Sequence, residues 1–159
     1  MMMSSVVRAL RPHDCATAAA LHARCFDAPW ERPWSADAFG RLLATPGCFG
    51  LMLILDGQAM GMALARVAAD EAELLTIGVA PDARRRGGAS QLLSAIGRRC
   101  RRRGAQNIFL EVAEDNPTAQ RLYQRHHFVV VGRRNAYFDR GQQARVAALI
   151  MRLDLQGKN

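Results

Sequence analysis

Six residues, Arg84-Arg85-Arg86-Gly87-Gly88-Ala89, join an apolar stretch, Leu74 to Val79, to a long amphipathic one, Gln91 to Arg103. A pyrophosphate needs backbone N–H groups converging at a helix N-terminus, where the helix dipole also favours negative charge. Glycine lets the backbone approach closely enough to supply them. Downstream, a second apolar stretch carries a carboxylate, Glu111, and a short helix opened by Asn116-Pro117 carries a phenol, Tyr123. A carboxylate is a feeble base at its reference pKa of ~4.3, and becomes useful through burial or a water relay. A phenol can protonate a departing group. The plainer readings are a solvent-facing strand position for Glu111, between Leu110 and Val112, and simple packing on a sheet for Tyr123, beside Leu122.

These residues need a frame. Val6 to Leu10 reads as a strand, and Asp14 as the cap of a helix running to about Phe26. Two prolines keep Asp27 to Pro33 from being helical throughout. Ser35 opens a second helix, stopped by Pro46-Gly47. Cys48 to Leu55 and Gln58 to Val67 form a hairpin across Asp56-Gly57, and Glu73 to Val79 is the next strand. The Gln91–Arg103 helix ends at Gly104, and Asn107 to Ala113, Val129 to Arg133 and Arg145 to Leu153 supply further strands. The order predicts a mixed α/β sheet with helices on both faces. A helical crossover makes the strands holding Ile77 and Leu110 parallel, so the Gly87 loop and Glu111 fall at one end of the sheet.

The 159 residues fit a single domain, 1–159, with a short flexible tail at about 155–159. Half of them are hydrophobic, yet no apolar run approaches the ~18 residues of a membrane span. Met1 to Ser5 shows no apolar segment behind a basic patch, so no signal peptide is expected. Cys15, Cys25, Cys48 and Cys100 are scattered without a C-x-x-C pair, which suits a reduced, cytoplasmic protein. His126-His127 has no third ligand nearby, and no metal is expected. The net charge of +8 invites a nucleic-acid reading. Against it, every cation but Lys158 is Arg, and the few aromatics are not interleaved with them. Direct nucleic-acid binding is therefore not expected. The Arg98–Arg103 cluster reads as a solvated helix end or as a contact with RNA or a nucleotide phosphate.

The loop and its flanks resemble the Gcn5-related N-acetyltransferase (GNAT) family, whose phosphate-loop pattern Gln/Arg-x-x-Gly-x-Gly/Ala is met by Arg84, Gly87 and Ala89. The similarity extends to Pro33-Trp34-Ser35, Asp70 to Leu74, Phe109 to Val112, Asn116-x-x-Ala119-x-x-Leu122-Tyr123, Arg133 to Tyr137 and Ala148 to Met151. Within the family it is similar to the bacterial ribosomal-protein-alanine N-acetyltransferases. The resemblance implies a centrally splayed sheet and acetyl-CoA as acyl donor. It implies that the backbone of Ile77, Gly78 and Val79 pairs with the pantetheine arm. Arg85, Arg86, Gly87, Gly88, Ala89 and Ser90 would hold the pyrophosphate, Arg84 would join them in binding the cofactor, and Asn116 would meet it near its thiol. Glu111 matches the proton acceptor and Tyr123 the proton donor.

Trp30 and Trp34 flank a proline-rich loop beside the acceptor's entry and read either as core packing or, Trp34 above all, as groove lining. Tyr137 is expected over the acceptor on a loop from Arg133 to Arg140. The implied acceptor is the N-terminal alanine of a small-subunit ribosomal protein, and the implied enzyme a cytoplasmic monomer. The alternatives are transfer to another amine (a lysine side chain, a polyamine, an aminoglycoside) or an idle CoA- or ribosome-binding module.

Overall fold

The computed structural model describes residues 4–156. Residues 1–3, part of the start read as carrying no leader, and 157–159, most of the expected tail, lie outside the described residues. Seven strands make one sheet: β1 (Ser5–Leu10), β2 (Cys48–Leu55), β3 (Gln58–Ala68), β4 (Glu71–Val79), β5 (Asn107–Ala113), β6 (Val129–Arg140) and β7 (Gln143–Asp154). Their spatial order is β1-β2-β3-β4-β5-β7-β6. Four helices accompany them: α1 (Cys15–Cys25), α2 (Ala36–Ala44), α3 (Gly88–Arg102) and α4 (Pro117–Arg125). The helical crossover does make β4 and β5 parallel, and the other neighbouring pairs are antiparallel.

The sheet separates two apolar cores, and β3 shows how the sequence divides them. Met62 and Leu64 face α1 and α2, where they meet Leu21 and Phe39. The intervening Ala63 and Ala65 face α3, and their small side chains let the helix lie close. Leu92, Ile96 and Cys100 of α3, at helical spacing, are fully buried there. Removing a Leu or Ile side chain from water contributes about 2 kcal/mol.

Helix ends follow local chemistry with one exception. Ser35 Oγ accepts the Ala38 N–H at 3.1 Å, and Gly104 leaves α3 at φ +90°. Asp14 does not cap α1 with its side chain as expected. Its carboxylate instead accepts from Arg8 at 2.8 and 3.0 Å and from the Arg11 N–H at 2.8 Å, joining β1 to the turn before the helix. The Arg8 guanidinium holds that carboxyl down at about 2.

Most element ends shift by one to three residues, and two readings differ more widely. Leu155, placed in the flexible tail, is buried; its N–H donates to Gln106 O at 2.9 Å and its carbonyl accepts from Arg101 Nε at 3.0 Å. Arg133 to Arg140 is not a loop, because β6 continues to Arg140 and pairs with β7 at Arg134↔Ala148, Phe138↔Val146 and Arg140↔Gln143. This is an edge strand with breaks in its register and mostly exposed side chains, so it carries no alternating apolar signal.

The centre of the sheet forks. β4 and β5 pair only through Glu71↔Asn107, Ala72↔Ile108 and Glu73↔Phe109. Just beyond, β3 residues Leu64 and Ala65 sit opposite Thr76 and Leu74, so Leu75 is an extra residue on β4. A bulge of that kind bends its strand. Past it β4 keeps β3 as its partner, while β5 stays with β7 through Ala113.

Candidate active site

The fork leaves one backbone edge of β4 without a strand partner from Leu74 to Val79. Its N–H and C=O groups are available to an extended, amide-bearing ligand, which would bind as an added strand. Ile77, Gly78 and Val79, expected to pair with the pantetheine arm, lie in this stretch, where Val79 O already accepts from Arg84 Nε. A Cβ on Gly78 would stand 2.9 Å from Cys25 Sγ, so the residue also keeps α1 close to the strand.

β4 delivers the chain through a single turn, Pro81–Ala83, into the arginine-glycine loop. Arg85 and Gly87 both take positive φ, +66° and +77°. Gly87 occupies the N-cap of α3 with no side-chain cap, and its carbonyl receives the Gln91 N–H at 3.0 Å. The N–H groups of Gly88, Ala89 and Ser90 therefore open the helix without an intrahelical acceptor. A Cβ built on Gly87 would meet nothing within 4 Å, so this backbone faces open space. The cradle suits a pyrophosphate: unpaired donors, a helix N-terminus and no side chain in the way. Gly88 has a different task. A Cβ there would sit 2.5 Å from Leu53 Cδ2, so glycine seats the helix on β2. Arg84 turns back to donate from Nε to Val79 O at 3.1 Å, while Arg85 and Arg86 remain exposed beside the cradle.

Across the fork, β5 alternates strictly. Ile108, Leu110 and Val112 are buried in the α3 core, so Glu111 projects from the opposite face. There it lines a cleft of about 420 Å³ with Glu73, Phe109, Arg134 and Ile150. Its side chain is 28% exposed, and Oε1 lies 3.3 Å from Arg134 Nε. This is neither a bare solvent position nor a buried carboxyl. Asn116 caps α4, accepting the Ala119 N–H at 3.1 Å, and so places the helix immediately after β5.

Tyr123, on α4, is buried on the α3 side, its ring 5.7 Å from that of Phe128. Burial pushes its phenol up to about 12, so it holds its proton at any physiological pH. Its hydroxyl is not a sealed, orphaned atom. Both the packing and the acid–base reading of Tyr123 are thus served by one placement. The carboxylate and the phenol flank the fork from opposite faces of the sheet.

Of the two expected groove residues, Trp34 is half-buried and largely committed to packing. Its ring stacks on that of His22 at 4.9 Å and 17° and leans on Phe39 at 5.4 Å, and its backbone N–H donates to His22 Nδ1 at 3.1 Å. His22 is held neutral, lowered to about 4 by burial. Tyr137 is exposed on β6, edge-on to Phe138 at 5.1 Å and under the Arg134 guanidinium at 5.2 Å.

Sequence reasoning missed three participants. Arg134 stood within a quoted stretch, but nothing local told that it would reach Glu111. Leu75 resembles any apolar strand residue, and only the pairing reveals the bulge. Arg140, paired with Asp115 at 3.0 Å, gave no signal beyond its charge. Among the described residues no group of three or more His, Cys, Asp or Glu could hold a metal ion.

Comparison with known proteins places this geometry. The acetyltransferase (GNAT) family model matches residues 16–128. A protein of Haemophilus ducreyi named [ribosomal protein bS18]-alanine N-acetyltransferase is 33% identical over 125 residues, 77% of this chain and 84% of that one. An Escherichia coli (strain K12) protein of the same name is 28% identical over 152 residues, 95% and 98% of the two chains. The crystal structure of the ribosomal-protein-S18-alanine N-acetyltransferase from Escherichia coli superposes with a TM-score of 0.86 at 26% identity, covering 98% of this chain and 97% of that one. Arabidopsis thaliana NAA60 in complex with acetyl-CoA shares the fold, with a TM-score of 0.80 at 19% identity, covering 97% and 100%. Since the family model spans both the phosphate cradle and the fork, the chain belongs to the acetyltransferase (GNAT) family.

Proposed function

We propose that this protein transfers acetyl from acetyl-CoA to the α-amine of an N-terminal alanine on a small-subunit ribosomal protein, in the cytoplasm and as a monomer. The observation that carries the chemistry is the placement of Glu111 and Tyr123 on opposite faces of the fork beside the open edge of β4. The acceptor is drawn from the relatives that bear that name, which match along most of their length. The four free cysteines are in keeping with a reducing compartment. No described helix is long and apolar enough to cross a membrane.

Acetyl-CoA supplies an activated thioester. In this reading the Gly87–Ser90 N–H groups and the dipole of α3 hold its pyrophosphate, with Arg85 and Arg86 adding positive charge. The free edge of β4 aligns the pantetheine amides, and the end of β5 receives the reacting carbon. Glu111, from the cleft side, accepts the proton that the amine sheds as its nitrogen bonds to the carbonyl carbon, directly or through a water. Tyr123, from the other face, gives its proton to the sulfur as the C–S bond breaks. Amide and free thiol result, with no covalent enzyme intermediate.

A modest base suits an α-amine. Its reference pKa of ~7.8 leaves it partly neutral at pH 7, whereas a lysine at ~10.4 is charged. The difference amounts to about 3.5 kcal/mol at ~1.36 per unit. Two peptides test the reading, one with a free Ala-Arg terminus and one with that terminus blocked and an internal Lys free. Mass spectrometry after incubation with acetyl-CoA should find label on the first alone. Equal labelling of the blocked peptide moves the assignment to a lysine or small-amine acceptor.

A further inference from the structure

Arg140, the last residue of β6, touches two other segments near the fork and a ring of its own strand. Its Nη2 and Nε reach the two Asp115 carboxylate oxygens at 3.0 and 3.3 Å, a bidentate grip. Its guanidinium also lies 5.3 Å from the Trp30 ring centroid and 5.6 Å from that of Phe138. Only 11% of the side chain is exposed. Asp115 belongs to the β5–α4 connection, Trp30 to the α1–α2 connection and Phe138 to the β6–β7 hairpin. A second pair, Arg133–Glu114 at 2.8 Å, ties the same hairpin to the same connection, but both partners are half exposed and it adds little. The Arg140 contact is different in kind, because a planar guanidinium stacked between rings and paired on two nitrogens is not matched by a lysine.

Asp115 stands four residues beyond Glu111, so the two are at most about 14 Å apart along the chain. An extended peptide advances about 3.4 Å per residue. An acceptor whose amine lies at Glu111 and that runs along this connection thus comes level with the Arg140 cluster within its first five residues. We infer that Arg140 is a positioning residue for the acceptor: it clamps the α1–α2 connection to the β6–β7 hairpin and fixes Trp30 and Phe138 as the wall beside those residues. This rests on the proposed acetylation of a peptide terminus. Arg140 takes no part in proton transfer and is far in sequence from the phosphate cradle.

The test compares two acceptors, a hexapeptide beginning Ala-Arg and alaninamide, which is too short to reach the clamp. In Arg140→Ala, KM for the hexapeptide should rise at least ~10-fold with kcat within about threefold, the former equivalent to about 1.4 kcal/mol. The kcat/KM for alaninamide and the calorimetric affinity for acetyl-CoA should stay at the wild-type level. Arg140→Lys should fail to restore the hexapeptide KM, since it keeps the charge but loses the fork and the stacking. Asp115→Asn, an exposed change that spares the fold, should reproduce the effect from the other side. An unchanged hexapeptide KM in Arg140→Ala overturns the inference, as does an equal loss on both acceptors or a weakened acetyl-CoA affinity. Those results leave the acceptor reading intact; wild-type protein that acetylates neither terminus overturns both.

Discussion

Gly87 and Gly88 are adjacent, yet the structure gives them separate jobs, and alanine at each position should fail in a different way. At Gly87 the backbone has φ +77° and an added Cβ meets nothing within 4 Å. Alanine there suffers only the left-handed penalty of about 1–2 kcal/mol. For a chain of this length, that lowers Tm by roughly 3–6 °C. The same Cβ projects into the space where the pyrophosphate should meet the backbone. Acetyl-CoA affinity should therefore fall at least ~10-fold, about 1.4 kcal/mol, in a protein that remains folded. At Gly88 the Cβ lands 2.5 Å from Leu53 Cδ2, inside a fully buried contact. Overpacking of that kind costs about 1–3 kcal/mol and should appear first in stability. A double-mutant cycle separates the cases: Gly88→Ala should couple strongly to Leu53→Ala, and Gly87→Ala should be additive with it. Calorimetric titration and thermal melts supply the readouts. Wild-type acetyl-CoA affinity in folded Gly87→Ala would refute the assignment of the cradle.

Tyr123→Phe should lower kcat about 100-fold or more at unchanged acetyl-CoA affinity, because it removes the proposed proton donor and keeps the ring that packs on Phe128; a wild-type kcat reduces Tyr123 to a packing residue. With the phenol at about 12, the wild-type rate should show no basic limb from this group below pH ~11. Glu111→Gln should depress turnover more at pH 7 than at pH 9, where an α-amine of pKa ~7.8 is already mostly neutral; parallel pH profiles for mutant and wild type would sink the role. His22, lowered to about 4 from its ordinary 6.5, takes up its proton more readily in the unfolded chain. Stability should therefore fall as pH drops from about 6.5 to 4, by up to about 3 kcal/mol, and a His22→Gln variant should flatten that slope in urea melts.

Much of this architecture could be read from residues whose signal is local. The apolar stripe Leu92, Ile96 and Cys100 announces α3, and the Asp56-Gly57 turn announces the β2–β3 hairpin, because period and turn chemistry act over a few residues. The cradle was legible for the same reason: glycines before an amphipathic stretch describe a helix N-terminus by themselves. Three features escaped because they depend on partners distant in sequence. Asp14 looks like a cap until Arg8 and the Arg11 N–H claim its carboxylate. Leu155 looks like tail until Gln106 and Arg101 anchor it. Arg133 to Arg140 looks like a loop because an edge strand wet on both faces need not alternate. The Arg134–Glu111 pair belongs to this group, since 23 positions separate residues only 3.3 Å apart.

The bulge at Leu75 connects these observations to the chemistry. Without it β4 would continue along β5, and its outer edge would be spent on strand pairing. One extra residue turns β4 away after Glu73, and the edge is left without a strand partner, as the proposed binding of an extended ligand requires. The same divergence opens the sheet between its two faces at the point where Glu111 and Tyr123 stand. Strict alternation along β5 sends Glu111 to the cleft face, and the chain reversal into α4 returns Tyr123 to the α3 face. A carboxylate and a phenol on one face could pair with each other and exchange their proton without consequence. Separated by the plane of the sheet, they are arranged as the proposed transfer requires, one group for the proton that leaves the amine and one for the sulfur. That separation also accounts for their unlike surroundings: the carboxylate stays partly wet beside Arg134, while the phenol is dry enough to keep its proton.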